Sequence, residues 1–174
     1  MCGLDYYHID RTQTEIIDRQ KKAFIAQIKL ANKIGKPLMI HCRDDRKSGT
    51  GPAYDDLLAI LKQEAPFAAP PIAHSFARDL ELVKKLLDLG AYFTFNGIVT
   101  FTHDYDEVLR YLPADRILSE TDAPYLTPVP HRGERNEPVF VVEVVRKLAE
   151  VRGVGLEEMA DTTSANTRRL FALD

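Results

Sequence analysis

Three short apolar runs in this chain each end on a residue type that binds divalent metal: Leu38-Met39-Ile40-His41, Pro71-Ile72-Ala73-His74 and Ile117-Leu118-Ser119-Glu120-Thr121-Asp122. Imidazole nitrogens from His41 and His74 with a carboxylate from Asp122 suit Zn, Mn or Mg when water fills the remaining positions. An ion so held lowers the pKa of its bound water toward ~7 and makes hydroxide available near neutral pH. Plainer readings stand beside this one. A His closing an apolar run is more often a satisfied core residue than a ligand, and Asp122, two residues before Pro124, can simply cap a turn. Glu120 points the same way as Asp122 if the strand is regular, so it either supports a ligand from behind or partners a buried base.

For three such residues to meet, the elements that carry them must run parallel. In a parallel α/β protein the strand ends all open onto one face, so ligands distant in sequence converge there. The segments between the runs are amphipathic and have recognisable ends. Thr12 with Glu15 makes a capping-box pattern, Ile17, Phe24, Ile28 and Ala31 share a helical face, and Gly35 with Pro37 stops that helix. Pro52 opens a helix with Tyr54, Leu57, Leu58 and Leu61 on its buried side, ended by Pro66. Asp79 caps a helix carrying Leu82, Val83, Leu86 and Leu87, and Tyr92-Phe93-Thr94-Phe95 reads as a strand. A short helix over 102–112 follows.

After Asp122 the texture changes to a long ordered loop, with Pro124, Pro128, Pro130 and Pro138 around a polar cluster from His131 to Glu137. Pro138 opens a helix striped by Val141, Val144, Val145, Leu148 and Val151, and a shorter helical pair then covers 156–160 and 163–171. Strand and helix alternate throughout, which demands a parallel sheet with right-handed crossovers. An eight-stranded barrel takes about 250 residues. With about four full strands and the stub Cys2-Gly3-Leu4, the periodicity points to a partial barrel or a small open sheet.

The 174 residues, 45% hydrophobic and 28% charged, are enough for one domain with a sizeable core, taken as residues 1–174. A net charge of −3 argues against a nucleic-acid coat protein or a binder of anionic membranes, so any contact with nucleic acid is expected to be local. Two distant cysteines, no apolar run of membrane-spanning length and no signal-peptide pattern fit a reducing cytoplasm.

Taken together, Gly3-Leu4-Asp5, His41-Cys42-Arg43-Asp44, His74-Ser75-Phe76, the run from Phe95 to Phe101, Glu120-Thr121-Asp122-Ala123-Pro124-Tyr125-Leu126 and Pro130 to Pro138 with its Arg135-Asn136-Glu137 core closely resemble the TatD family of metal-dependent deoxyribonucleases. The resemblance runs from the first residues to Leu170-Phe171. It implies a TIM-type (β/α)8 barrel holding divalent metal, with hydrolysis of phosphodiester bonds in DNA in an exonuclease-like manner. It also implies His41, His74 and Asp122 as metal ligands and, by analogy with related barrel hydrolases, Asp122 as a proton acceptor for the attacking water; for Glu120 the supporting role is preferred on strand alternation. Two departures accompany it. The family's His-x-His pair is absent, and Met1 stands where a bridging Glu belongs, so the expectation is a partial barrel whose first strands are missing and whose edges invite self-association.

Arg43, Arg135 and Asn136 are the candidates for holding phosphate, since guanidinium forks match phosphate oxygens and all three follow strand ends. The alternatives are an ion pair of Arg43 with Asp44 or Asp45, and for Arg135 a solvated charge or a pair with Glu137. Tyr125 can stack on a base or pack beneath the proline loop. His131 can touch substrate, though a loop histidine is more often simply exposed, and His8 and His103 read as surface residues. Two rival functions remain at this level: a non-catalytic remnant that binds a partner, and an amidohydrolase acting on a small molecule.

Overall fold

Helix and strand alternate because the apolar periodicity does, and the ends of the elements fall where the turn residues stand. The computed structural model describes residues 1–10, 12–44 and 51–173, so the alternative pairing of Arg43 with Asp45 lies outside the described residues. The chain groups into two compact units, 1–74 with 85–91 and 75–84 with 92–174.

In the first unit, strands β1 (Cys2–Asp5), β2 (Met39–Arg43) and β3 (Ile72–Ala73) run parallel, with Gly3 opposite His41 and Ile40 opposite Ala73. Helices α1 (Thr14–Ile34) and α2 (Pro52–Glu64) supply the crossovers. Phe24, Ile28, Leu57 and Leu61 bury against Leu4, Ile40 and Ile72, all at 8% exposure or less, which is the expected apolar stripe closing on the sheet. The start of α1 departs from expectation. Its N-cap is Gln13 with no side-chain cap, and Thr12 instead gives both its amide and hydroxyl hydrogens to Asp10 Oδ1. Asp10 thus out-competes the capping box, since an aspartate two residues upstream closes a tighter local ring.

Gly3 is the one residue of β1 that must be glycine. Its φ is +148°, and a Cβ there would lie 1.8 Å from the carbonyl oxygen of His41.

The second unit holds β4 (Tyr92–Phe95) and β5 (Ile117–Ser119), parallel with Thr94 opposite Leu118. Helix α3 (Leu80–Leu87) begins, as the sequence suggests, with Asp79 accepting from Leu82 N. Helix α4 (Asp106–Tyr111) is shorter than the expected 102–112. Helices α5 (Val141–Arg152) and α6 (Leu156–Phe171) complete the unit. Helix α6 is continuous where a broken pair is expected. The Thr162, Thr163 and Thr167 hydroxyls bond back to carbonyls one turn earlier, so the polar run that suggests a break is absorbed into the helix.

Phe76 meets Phe93 edge-on at 5.1 Å at the centre of this core. Asn166, 3% exposed, gives its amide hydrogens to the carbonyls of Ala114 and Ile117 at 2.8 Å each and so fixes α6 to the start of β5. Arg152 reaches the carbonyls of Leu109 and Leu112 at the end of α4, a cation placed where unpaired carbonyls gather. No helix among the described residues is long and apolar enough to cross a membrane.

Candidate metal centre

Two of the sequence-predicted ligands come together in the first unit. His41 lies on β2, and His74 follows β3 with its amide on the carbonyl of Ile40 at 2.9 Å. Their ring centroids are 6.4 Å apart and the planes are tilted by 40°. Parallel pairing of β2 with β3 is what sets this spacing, because it puts the two strand ends level.

A third polar residue completes the cluster. Asp5, at the end of β1, places Oδ2 2.9 Å from His41 Nε2, and both side chains are partly exposed. Asp5 is itself pinned on every side. Its amide donates to Gln20 Oε1 at 2.8 Å, its carbonyl accepts from Gln20 Nε2 at 2.9 Å, and its Oδ1 accepts from Tyr7 N at 3.0 Å. The Gln20 amide therefore treats Asp5 as a neighbouring strand would, and the carboxylate is held on His41. The residue-by-residue reading assigns neither Asp5 nor Gln20 a role. The signal for Asp5 is nonetheless present, since the stub Cys2-Gly3-Leu4 ends on a carboxylate just as the other runs end on their ligands.

These donors fit a divalent ion in chemical type, as part of a coordination sphere. The His41 and His74 imidazoles would supply nitrogen donors to such an ion. Among the described residues, no three His, Cys, Asp or Glu side chains stand close enough together to hold one ion as they are placed.

Arg43, exposed at the end of β2, lays its guanidinium 3.5 Å from the ring centroid of Tyr7. This cation–π contact pre-orients the fork of an exposed side chain. Asp44 Oδ1 accepts from Ala53 N at the start of α2.

In the second unit, Glu120 and Asp122 follow β5. Glu120 Oε1 accepts from the amide of Ser75 at 2.8 Å and from Asn96 Nδ2 at 3.4 Å. Asn96 is fully buried, also donates to Ser75 Oγ at 2.7 Å, and accepts from Ile98 N. Thr94 Oγ1 shares the Ser75 amide at 3.0 Å. Glu120 thus grips the residue that follows His74, and Asn96 and Thr94 are its partners. Sequence reasoning singles out neither, because a polar residue within an apolar strand or directly after it gives no sign of what it will meet. Asp122 is half-buried with φ +55°, and its carbonyl accepts from Tyr125 N at 2.9 Å.

The loop that follows is closed by its own contacts. Thr127 Oγ1 donates to the carbonyl of Glu134, Arg132 donates to that of Thr127, and Gly97 packs so tightly on Leu126 that a Cβ would lie 1.8 Å from its carbonyl oxygen. His131 is not the exposed loop residue expected, for its ring stacks on Phe140 at 4.0 Å. Tyr125, 71% exposed, does not pack beneath the prolines. Arg135 is exposed, whereas Asn136 is buried at 2% with its amide turned into the loop. His103 is exposed beside Asp106, and His8 is exposed with its ring edge-on to Tyr7.

Parallel strands that end on His and carboxylate residues, with Glu120 held on the Ser75 amide, define an α/β protein with its polar residues gathered at the strand ends. The chain belongs to the family described as TatD related DNase, whose sequence model matches residues 1–172. It is 42% identical over 174 residues to the uncharacterized metal-dependent hydrolase YcfH of Escherichia coli K12, covering 99% of this chain and 61% of that protein. To the uncharacterized metal-dependent hydrolase YabD of Bacillus subtilis it is 39% identical, covering 99% and 64%. Among solved structures, the TatD homolog YJJV from Escherichia coli K12 matches with a TM-score of 0.84 at 26% identity, over 100% of this chain and 63% of that one. The chain thus spans about three-fifths of the length of the curated relatives it matches, and its fold class is the TIM-type α/β class of these structures.

Proposed function

We propose that this chain carries part of the site of a divalent-metal-dependent phosphodiesterase of the TatD type, acting on DNA ends. The observation that supports it most directly is the meeting of His41 and His74 at adjacent strand ends, 6.4 Å apart, with Asp5 on His41 Nε2. His41 and His74 are the residues of the first unit that would hold a Mg, Mn or Zn ion, and Asp122 is taken as a ligand on the family's sequence pattern alone. When bound, such an ion makes hydroxide available near neutral pH and offsets charge on phosphoryl oxygens.

The chain's own residues supply the rest. Asp5 fixes the tautomer and orientation of the His41 ring by holding one of its two nitrogens. Asp122 accepts the proton of the attacking water. Arg43, held flat by Tyr7, presents its fork to a phosphate oxygen, and the exposed Arg135 offers a second cation to the strand. With a net charge of −3, contact with DNA stays local to these groups.

The test is metal content after dialysis together with nuclease activity on single-stranded DNA, for the wild-type chain and a His41→Ala/His74→Ala double variant. The expected result is metal and activity in the first and loss of both in the second. Equal metal and equal activity in the two would retire the proposal. Cleavage of a small cyclic amide or ester in preference to DNA, under the same ion, would move the substrate to the amidohydrolase class.

A further inference from the structure

We propose that Asn136 is a positioning residue for Asp122, a buried staple that closes the turn on which the aspartate sits. This rests on the reading of Asp122 as a ligand or proton acceptor given above. The side chain of Asn136 is 2% exposed and lies against the turn over 121–125. Its Nδ2 donates to the carbonyl of Thr121 at 2.8 Å and to that of Tyr125, one on each side of Asp122. Its backbone amide donates to the carbonyl of Pro124 at 3.2 Å. Three bonds from one residue thus tie 121, 124 and 125 together.

Chemistry fixes the orientation of this amide. Both partners of Nδ2 are carbonyl oxygens, which only accept, so the NH2 group must face them and Oδ1 must face away. Oδ1 is buried there with no hydrogen-bond partner among the described residues. A polar side chain that leaves one atom unsatisfied is a costly way to fill a loop, and it persists where its other atoms are needed. The need is at Asp122. Its φ of +55° lies in a region that L-residues seldom occupy, and Leu126 at +53° shares the same condition. Such conformations last only where the surroundings over-determine them. Asn136 supplies that constraint from the far end of the loop, and its burial leaves it little surface to offer a phosphate.

Hydrogen exchange by mass spectrometry on the full chain reads the staple directly, with Asn136→Ala, the isosteric Asn136→Asp, and Glu137→Ala as a neighbouring control. Amides over 121–136 are expected to exchange at least about tenfold faster in both Asn136 variants and at the wild-type rate in the control. Should the alanine variant unfold, the aspartate variant gives the same reading, because a carboxylate of the same shape cannot donate to two carbonyls. On single-stranded DNA with Mn, kcat should fall at least about tenfold with KM within twofold of wild type. Unchanged exchange over 121–136 overturns the proposal, as does a raised KM with kcat retained, which is the signature of a substrate contact. If the wild-type chain cleaves no DNA while exchange still responds to Asn136, the hydrolase reading fails and the staple stands.

Discussion

Replacing Gly3 by alanine should strike the fold and the candidate metal centre together. The new Cβ would lie 1.8 Å from the carbonyl oxygen of His41, so β1 and β2 must part by more than 1 Å at the residue that carries the imidazole. Neither partner can yield cheaply, since the obstacle is backbone rather than the end of a flexible side chain. The backbone adds strain of its own. An alanine at φ +148° occupies a region nearly closed to L-residues, at about 1–3 kcal/mol. Overpacking against the neighbouring strand contributes roughly another 1–3 kcal/mol. The sum, about 2–6 kcal/mol, is a large share of the ~5–15 kcal/mol that holds an ordinary domain folded. Urea denaturation followed by circular dichroism would measure it, with Gly155→Ala as the control. Gly155 has nothing within 4 Å of a built Cβ and an extended backbone at φ −68°, but it is the N-cap of α6, where alanine is the poorer residue, so the lost chain entropy and the weaker cap offset each other and the change should stay within about 1 kcal/mol of wild type. Gly3→Ala should be the more destabilising of the two by at least about 1 kcal/mol. Midpoints that coincide would refute the close approach of β1 to His41.

Two further outcomes follow from buried polar groups. Asn166→Ala strands the carbonyls of Ala114 and Ile117 and should cost about 2–6 kcal/mol in thermal or urea unfolding, at 1–3 kcal/mol for each acceptor left unpaired. Burial, followed by the hydrogen bond and charge of Asp56, holds the Tyr6 phenol above its ordinary value. The folded chain therefore keeps this proton at a pH where the unfolded chain has released it, and stability falls as pH rises above about 10, by roughly 1.4 kcal/mol per pH unit from this group. In Tyr6→Phe that part of the alkaline decline should vanish, as read from denaturation midpoints between about pH 9 and 11.

Much of the architecture is written locally. The run ending on His41 becomes strand Met39–Arg43, Tyr92 to Phe95 becomes a strand, Asp79 caps α3, and Gly35 and Gly153 end their helices, because each of these depends on neighbours in sequence. What the sequence hides is competition between near neighbours and meetings between distant residues. Thr12 has two acceptable roles, and only the placement of Asp10 decides between them. Asn136 looks like a loop residue free to bind phosphate until the turn over 121–125 folds onto it. Asp5 looks like the end of a stub until β1 pairs with β2 and brings it to His41. His41 and His74 are legible for the opposite reason. Each closes an apolar run, and parallel pairing levels such ends without further information.

The grip of Glu120 on Ser75 acts on an amide hydrogen, which every residue but proline possesses. Position 75 is therefore selected by shape and by the acceptor that its hydroxyl offers to the buried Asn96. With φ at +49°, it should accept asparagine or aspartate, tolerate glycine only at the cost of that hydrogen bond, and reject valine, isoleucine and proline. Position 120 has the reverse freedom. Glutamine could still offer the oxygen that the amide seeks, while a shorter aspartate would fall short of it by the length of one methylene.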